Sequence, residues 1–397
     1  MAGRDRIATQ GRGAAQVPRF QVDPLWPKPL PNHWIFGSIT GVAVDAQDHI
    51  WVVHRGVDSL NPRTEIGLAS DPPSAESCCL PAPFVLEFDQ TGAVVGHWGG
   101  PGHGYDWPQS PGGIAVDAKG NVWIAAAGPP DLAGGRATST SEEPGGGAGG
   151  QAQGTGRGGR GATPRPQDAH VLKFSRTGAF LLQIGKAGRV EGSDSTTALN
   201  RPAAVEVDSA ANEVYVADGL GNHRVVVLDS ETGAYKRHWG AYGEKPTDAP
   251  TAPYDPNAPP SKQFGIVSAV RLAKDGLVYV CDRKNDRIQV FKKDGTFLKE
   301  GFVSKTTLGD GAVWDVAFSK DPQQRFLYVA DGHDQKVWIL VRDTLEVVGS
   351  VGAGGRWPGH FYGVGSIAID SKGNIYTGET YEGKRLQKFV FKGLGPA

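Results

Sequence analysis

Apolar residues along this chain come in short runs of four or five, rich in Val, Tyr or Trp and each closed by Asp, Gly, Asn or Ser. The stretch Pro202–Gly240 shows the arrangement most plainly, with runs at Ala204–Asp208, Glu213–Ala217, Arg224–Leu228 and Tyr235–Trp239. Runs of this length bounded by turn formers predict strands, and four in succession predict an antiparallel meander. The unit returns at intervals of roughly 40–50 residues, the spacing of propeller blades or solenoid turns.

Ahead of this template, one unit takes Gly41–Asp45, Ile50–His54, Val85–Phe88 and Val94–Trp98, with an insertion Val57–Pro83. The next takes Gly113–Asp117, Val122–Ala126, Val171–Phe174 and Phe180–Ile184. Behind it come Ala269–Ala273, Val278–Cys281, Arg287–Phe291 and Thr296–Lys299, then Trp314–Phe318, Leu327–Ala330, Val337–Leu340 and Glu346–Val351. A sixth unit has three runs only, Ser366–Asp370, Ile375–Thr377 and Arg385–Phe391. The N-terminal run Arg19–Val22 supplies its missing outer strand, which closes a ring and leaves no open sheet edge. A solenoid would need polar caps, and the chain has none. The expected fold is all-β: a single six-bladed β-propeller of four-stranded antiparallel blades over residues 17–397, preceded by a disordered stretch at 1–16.

Composition narrows the partners. With a formal net charge of −1 there is no global basic field to hold nucleic acid or an anionic membrane surface. No run of 18 apolar residues is present, and the first residues carry basic groups without an apolar core, so they are not an intact signal peptide. The insertion in the second unit, at about 129–168, is rich in Gly and Arg and is expected to be a disordered loop, its arginines lacking the aromatic platform of an RNA binder. A Pro-rich segment, Tyr242–Ser261, is expected to pack over one face. Cys78, Cys79 and Cys281 form neither a disulfide framework nor a zinc pattern and read as buried or turn thiols, a vicinal Cys78–Cys79 bond being the alternative.

Comparing equivalent positions around the ring isolates candidate chemistry. At the start of the innermost strands stand Thr40, Gly112, Ala203, Ser268, Trp314 and Gly365. Small residues there predict a roomy vestibule with one large aromatic, although crowding at the axis also favours them. Three positions further on stand Ala43, Ala115, Glu206, Arg271, Ala317 and Ala368. The two charges read as an ion pair between neighbouring blades, with a ligand-facing carboxylate as the alternative. Asp218, Asp282, Asp331 and Glu379 end second strands and are followed five or six residues later by Arg or Lys, which reads as turn bracing. His54 breaks that series and leaves Arg55 free for another task near the mouth.

The segments V-Y-V-A-D-G-x-x-N-x-R-V, V-Y-V-C-D-R-x-N-x-R-I-Q-V-F and I-W-V-V-H-R-G resemble NHL-repeat six-bladed propellers, and more narrowly the peptidyl-α-hydroxyglycine α-amidating lyases and their exported bacterial relatives. That resemblance, over most of Phe20–Gly393, implies a zinc held by three histidines, an arginine in the HRG-like segment and a tyrosine in a D-G-Y-x-N-x-R loop. Arg55 matches the arginine. The histidine positions fall on Gly112, Ser268 and Gly365, and the tyrosine position on Leu220. None of these replacements supplies an imidazole or thiolate, so zinc and the zinc-dependent lyase reaction are not expected. A structural calcium on channel carbonyls belongs to the same resemblance, with Ser366 at its carboxylate position. His97, His103, His170, His223, His238, His333 and His360 form no replacement cluster.

The expected function is binding of a small molecule or peptide in a cavity vacated by nature or by design. Thr40, Arg55, Gly112, Ala203, Leu220, Ser268, Trp314, Asp315 and Gly365 surround it. Arg55 would pair an anionic group and Trp314 would form a stacking wall. The alternatives are an enzyme of lyase or hydrolase type using Arg55 and Ser268 as catalytic groups with Trp314, and a protein-interaction scaffold. The resemblance implies an extracellular or periplasmic monomer.

Overall fold

The computed structural model describes residues 16–129, 165–250 and 252–396. Apart from their edges, the stretches expected to be disordered, 1–16 and about 129–168, lie outside the described residues.

Six four-stranded antiparallel sheets succeed one another around a ring. Their innermost strands are Ile39–Val44, Pro111–Val116, Ala204–Asp208, Val267–Leu272, Asp315–Phe318 and Val364–Ile369, which define blades one to six. The second strand of each blade is buried along its whole length, from Ile50–His54 in blade one to Ile375–Glu379 in blade six. That explains their unbroken apolar runs: a blade packs against neighbours on both faces, so neither face of its inner strands is left for polar residues. Outer strands meet solvent on one side, and Val94–Trp98 accordingly alternates between half-buried and exposed.

The ring closes as expected. Gln16–Asp23 pairs antiparallel with Leu386–Pro396, placing Phe20 opposite Phe391 and Val22 opposite Phe389, and becomes the outer strand of blade six. A feature not foreseen is a short parallel pair, Trp34–Ile35 with Leu80–Pro81, which fastens the insertion of blade one to the chain ahead of its first strand.

The two ends of the ring differ. At one end, tight turns join first to second strands. In blade two Asp117 Oδ1 accepts from the amides of Lys119 and Asn121, each at 2.9 Å, and Asp370 does the same for Lys372 and Asn374 in blade six. The longer connections lie at the opposite end, where the inner strands begin. There the strand-ending acids brace the backbone. Asp218 accepts from Arg224 Nε at 2.8 Å and from the amide of Asn200 at 2.9 Å. Asp282 does so from Arg287 and Gly265, and Glu379 from Arg385 and Tyr362. Blade five departs from the expected pairing: Asp331 accepts from Trp338 Nε1 at 2.8 Å, while Lys336 lies over that indole ring.

Candidate functional site

One cavity of about 590 Å³ is lined by the starting residues of all six inner strands, Thr40, Gly112, Ala203, Ser268, Trp314 and Gly365, together with Arg55 and Leu220. The chain makes room there with glycine. A Cβ on Gly112 would meet the Ala203 carbonyl oxygen at 2.5 Å, so a side chain at this point would collide with the next blade. Burial of the second strands fixes where each strand ends, and in blades one, two, four and six the residue just past that end lines the mouth. Around the ring this position holds Arg55, Ala127, Gly219, Arg283, Gly332 and Thr380. Arg55 and Arg283 therefore face one cavity, whose lining also includes Arg201 and Lys284.

Arg55 is held by a hydrogen bond from its Nε to Ser110 Oγ at 2.8 Å. Ser110 is fixed in turn by the Asp168 carboxylate, which accepts from the Gln109 and Ser110 amides at 3.2 Å. Arg283 lies over the Trp314 ring, 4.2 Å from its centroid, and its Nε is buried without a hydrogen-bond partner. Among the described residues neither guanidinium has a carboxylate within ion-pair distance. Burial lowers the pKa of both. The Tyr381 hydroxyl opposes this at each, with Asp310 adding at Arg283, while the like charge of Arg283 lowers Arg55 further. Asp310, the acid lining the mouth, accepts from Tyr381 Oη at 2.9 Å. Burial pushes that phenol up to about 12, so it remains a neutral donor rather than a base.

Several expectations are corrected at this point. Trp314 is only 7 % exposed; its Nε1 donates to the Gly311 carbonyl at 2.8 Å, Tyr381 meets it edge-on and Arg283 covers a face, so it is the seat of a cation rather than an open stacking wall. Asp315 does not line the cavity. It is buried one residue further along the strand, accepting from Arg271 Nη2 at 2.9 Å and from the Ile367 amide at 3.2 Å. The expected Glu206–Arg271 contact exists at 3.7 Å, but Asp315 is the closer partner, and the three form a cluster joining blades three, four and five. Arg283 is not among the expected site residues because the comparison of second-strand ends stopped at the acids Asp218, Asp282, Asp331 and Glu379 and took Arg55 alone from the position that follows. The same comparison just beyond the second strands picks it out with Arg55.

Ser268 donates its hydroxyl to the Val313 carbonyl at 3.1 Å, with no histidine or carboxylate bonded to it. It has no base to activate it. Gly112 and Gly365 offer no side-chain donor, so these three positions do not fit a three-histidine zinc site. The carboxylate position of the expected calcium site is Ser366. Ser366 Oγ is buried without a partner, and the channel carboxylate of Asp315 is already held by Arg271. At the opposite end of the ring Asp45, His49 and Glu87 come together as metal ligands can, but Arg176 inserts its guanidinium between the two carboxylates, 3.0 Å from Asp45. Cys281 is buried as expected, whereas Cys78 and Cys79 are joined by a disulfide and Cys78 is exposed. No helix among the described residues is long and apolar enough to cross a membrane.

Fold and repeat together define the class, a six-bladed propeller with an NHL repeat, whose family pattern matches residues 199–228 in blade three. The chain is 28 % identical over 190 residues to human NHL repeat-containing protein 3, covering 46 % of each, and 28 % identical over 195 residues to the mouse protein, covering 47 % of this chain and 48 % of that one. It spans about half the length of these curated relatives. Among solved structures a streptogramin B lyase superposes over 94 % of this chain and 98 % of its own, with a TM-score of 0.51 and 10 % identity, a likeness of fold alone.

Proposed function

We propose that this propeller binds a small organic anion, or a peptide end bearing one, in its mouth cavity. The observation that carries the reading is the pair of guanidiniums, Arg55 and Arg283, which line one cavity without a carboxylate partner among the described residues. Desolvating a cation without compensation is costly, and a ligand oxyanion is the simplest compensation. Arg201, Lys284 and Asp310 also line the cavity, while Ala203, Leu220, Thr40 and Thr380 are apolar or neutral and suit an uncharged body behind the anionic group. The resemblance to amidating lyases supports a peptide-sized ligand and an extracellular or periplasmic monomer, and the disulfide supports an oxidising compartment. The reading assigns no metal, nucleic acid or membrane surface to the site.

Isothermal titration of the full chain with carboxylate- and phosphate-bearing small molecules tests it. Binding that weakens with salt, drops by at least about tenfold in Arg55→Ala and in Arg283→Ala, and survives Lys119→Ala is the expected result. Absence of binding across such a panel, or affinities unmoved by both substitutions, would overturn it. A hydrolase using Ser268 would instead be labelled there by a fluorophosphonate, and the hydrogen bond to Val313 argues for no labelling.

A further inference from the structure

The vicinal pair Cys78–Cys79 has no part in the mouth reading and occupies a built position of its own. The two sulfurs are bonded, Cys78 is exposed and Cys79 half-buried. The chain on either side is pinned. Immediately after the pair, the Leu80 amide donates to the His33 carbonyl and the Ala82 amide to the Ile35 carbonyl, each at 2.9 Å. Four residues before it, the Ser74 amide donates to the Gly67 carbonyl at 2.9 Å, and between the two cysteines the Cys78 carbonyl packs so closely on Gly67 that a Cβ there would approach to 2.5 Å. The insertion is also tied to the loop of blade six that lines the mouth: Lys384 Nζ contacts Glu65 at 2.7 Å. An accessible sulfur pair is therefore displayed on an anchored loop, while Cys281, the third cysteine of the chain, is fully buried.

We propose that Cys78–Cys79 is a reversible thiol–disulfide site, opened by small thiols and, once reduced, able to chelate a trivalent, thiophilic ligand between its two sulfurs. An attacking thiolate forms a bond to the exposed Cys78 Sγ; the Cys78–Cys79 bond breaks, and Cys79 leaves as a thiolate that takes a proton. A second thiol then attacks the mixed disulfide and frees Cys78. The protein gains two thiols while two small thiols are oxidised to one disulfide. Access decides which sulfur is attacked, and Cys78 is the more exposed of the two residues. Because the backbone is anchored on both sides, the thiols stay adjacent after opening. Two sulfurs on neighbouring residues can both bond one arsenic(III) centre, with phenylarsine oxide losing its oxygen as water.

Cysteine labelling of the native chain, read by intact mass, tests this. Iodoacetamide alone should add nothing. After mild dithiothreitol, removed before labelling, it should add two groups, mapping to Cys78 and Cys79. Phenylarsine oxide applied between these steps should block both additions, and either Cys78→Ser or Cys79→Ser should abolish the block at the cysteine that remains. Labelling before reduction would show free thiols and overturn the proposal, as would no labelling after reduction. A third group, on Cys281, would mean that reduction unfolds the blade, which also overturns it. Two groups without arsenical protection would remove the chelating role.

Discussion

His54 does with a neutral ring what a carboxylate does in blades three, four and six. Its Nδ1 accepts from the amides of Gly37 at 3.1 Å and Gly56 at 3.0 Å, so the ring proton sits on Nε2, which donates to the Pro83 carbonyl at 2.8 Å. Protonating Nδ1 would break both amide bonds in a fully buried site. Burial accordingly lowers its pKa from 6.5 to about 4, against the pull of the Pro83 carbonyl. Between these values the unfolded chain binds the proton that the folded one refuses, so stability falls as pH drops from 6.5 and the loss is complete near pH 4. The full effect is about 3 kcal/mol. Asp286 has the opposite sign. Burial raises it from 3.8 to about 7, so its contribution is present in acid and is lost as pH rises through 7. A raw stability curve mixes the two. The clean measurement compares thermal or urea unfolding of wild type and His54→Gln from pH 7 to 4: the carboxamide still accepts but cannot protonate, so the wild type should lose stability relative to the variant on acidification. Parallel curves would refute the assignment.

At the level of strands and their turns, most of the molecule was legible in the sequence. A continuous apolar run ending in Asp or Glu, with Arg five or six residues on, announced both a buried second strand and its brace, because a buried carboxylate at a strand end needs a fixed cation. Arg224 and Arg287 are fully buried in that role. What was not legible depends on side-chain direction across blades. The run W-D-V-A-F marks a strand without revealing that Asp315 turns towards Arg271, or that Trp314 lies beneath Arg283. The blade-five brace was misread for a related reason: Lys336 and Trp338 project from the same face of the strand, and the indole N–H takes the carboxylate while the ammonium rests on the ring. The braces carry an energetic expectation. Arg287 Nε meets Asp282 at 2.8 Å with both side chains 0 % exposed, so Arg287→Ala strands a buried carboxylate and should cost about 3–5 kcal/mol in urea unfolding. Lys119, paired with Glu231 at 2.9 Å across an exposed surface, should give no measurable change when replaced by alanine. Equal effects from the two substitutions would contradict the bracing role.

The whole molecule depends on one seam. Five blades are built from consecutive strands, and the sixth joins the two ends of the described chain. The N-terminal strand does more than complete a ladder. Phe20 meets Phe391 in its own blade at 5.7 Å and Tyr328 of blade five at 5.4 Å, and Val17 is 4 % exposed. Elsewhere the ring is held across blades by the Glu206–Arg271–Asp315 cluster, which spans three through five and cannot substitute at the seam. Removing the strand would uncover the apolar side chains it shares with blades five and six and leave Leu386–Pro396 as a long unpaired edge. A chain beginning at Pro24, compared with one beginning at Gln16, should therefore melt at least about 5 °C lower, the burial of three apolar side chains setting the scale. It should also associate as concentration rises, through the exposed edge. Sedimentation velocity and thermal melts read the two effects separately. A lower melting temperature without association would mean that the edge is covered by another part of the chain; an unchanged melting temperature would mean that the ring holds without its closing strand, as a solenoid would.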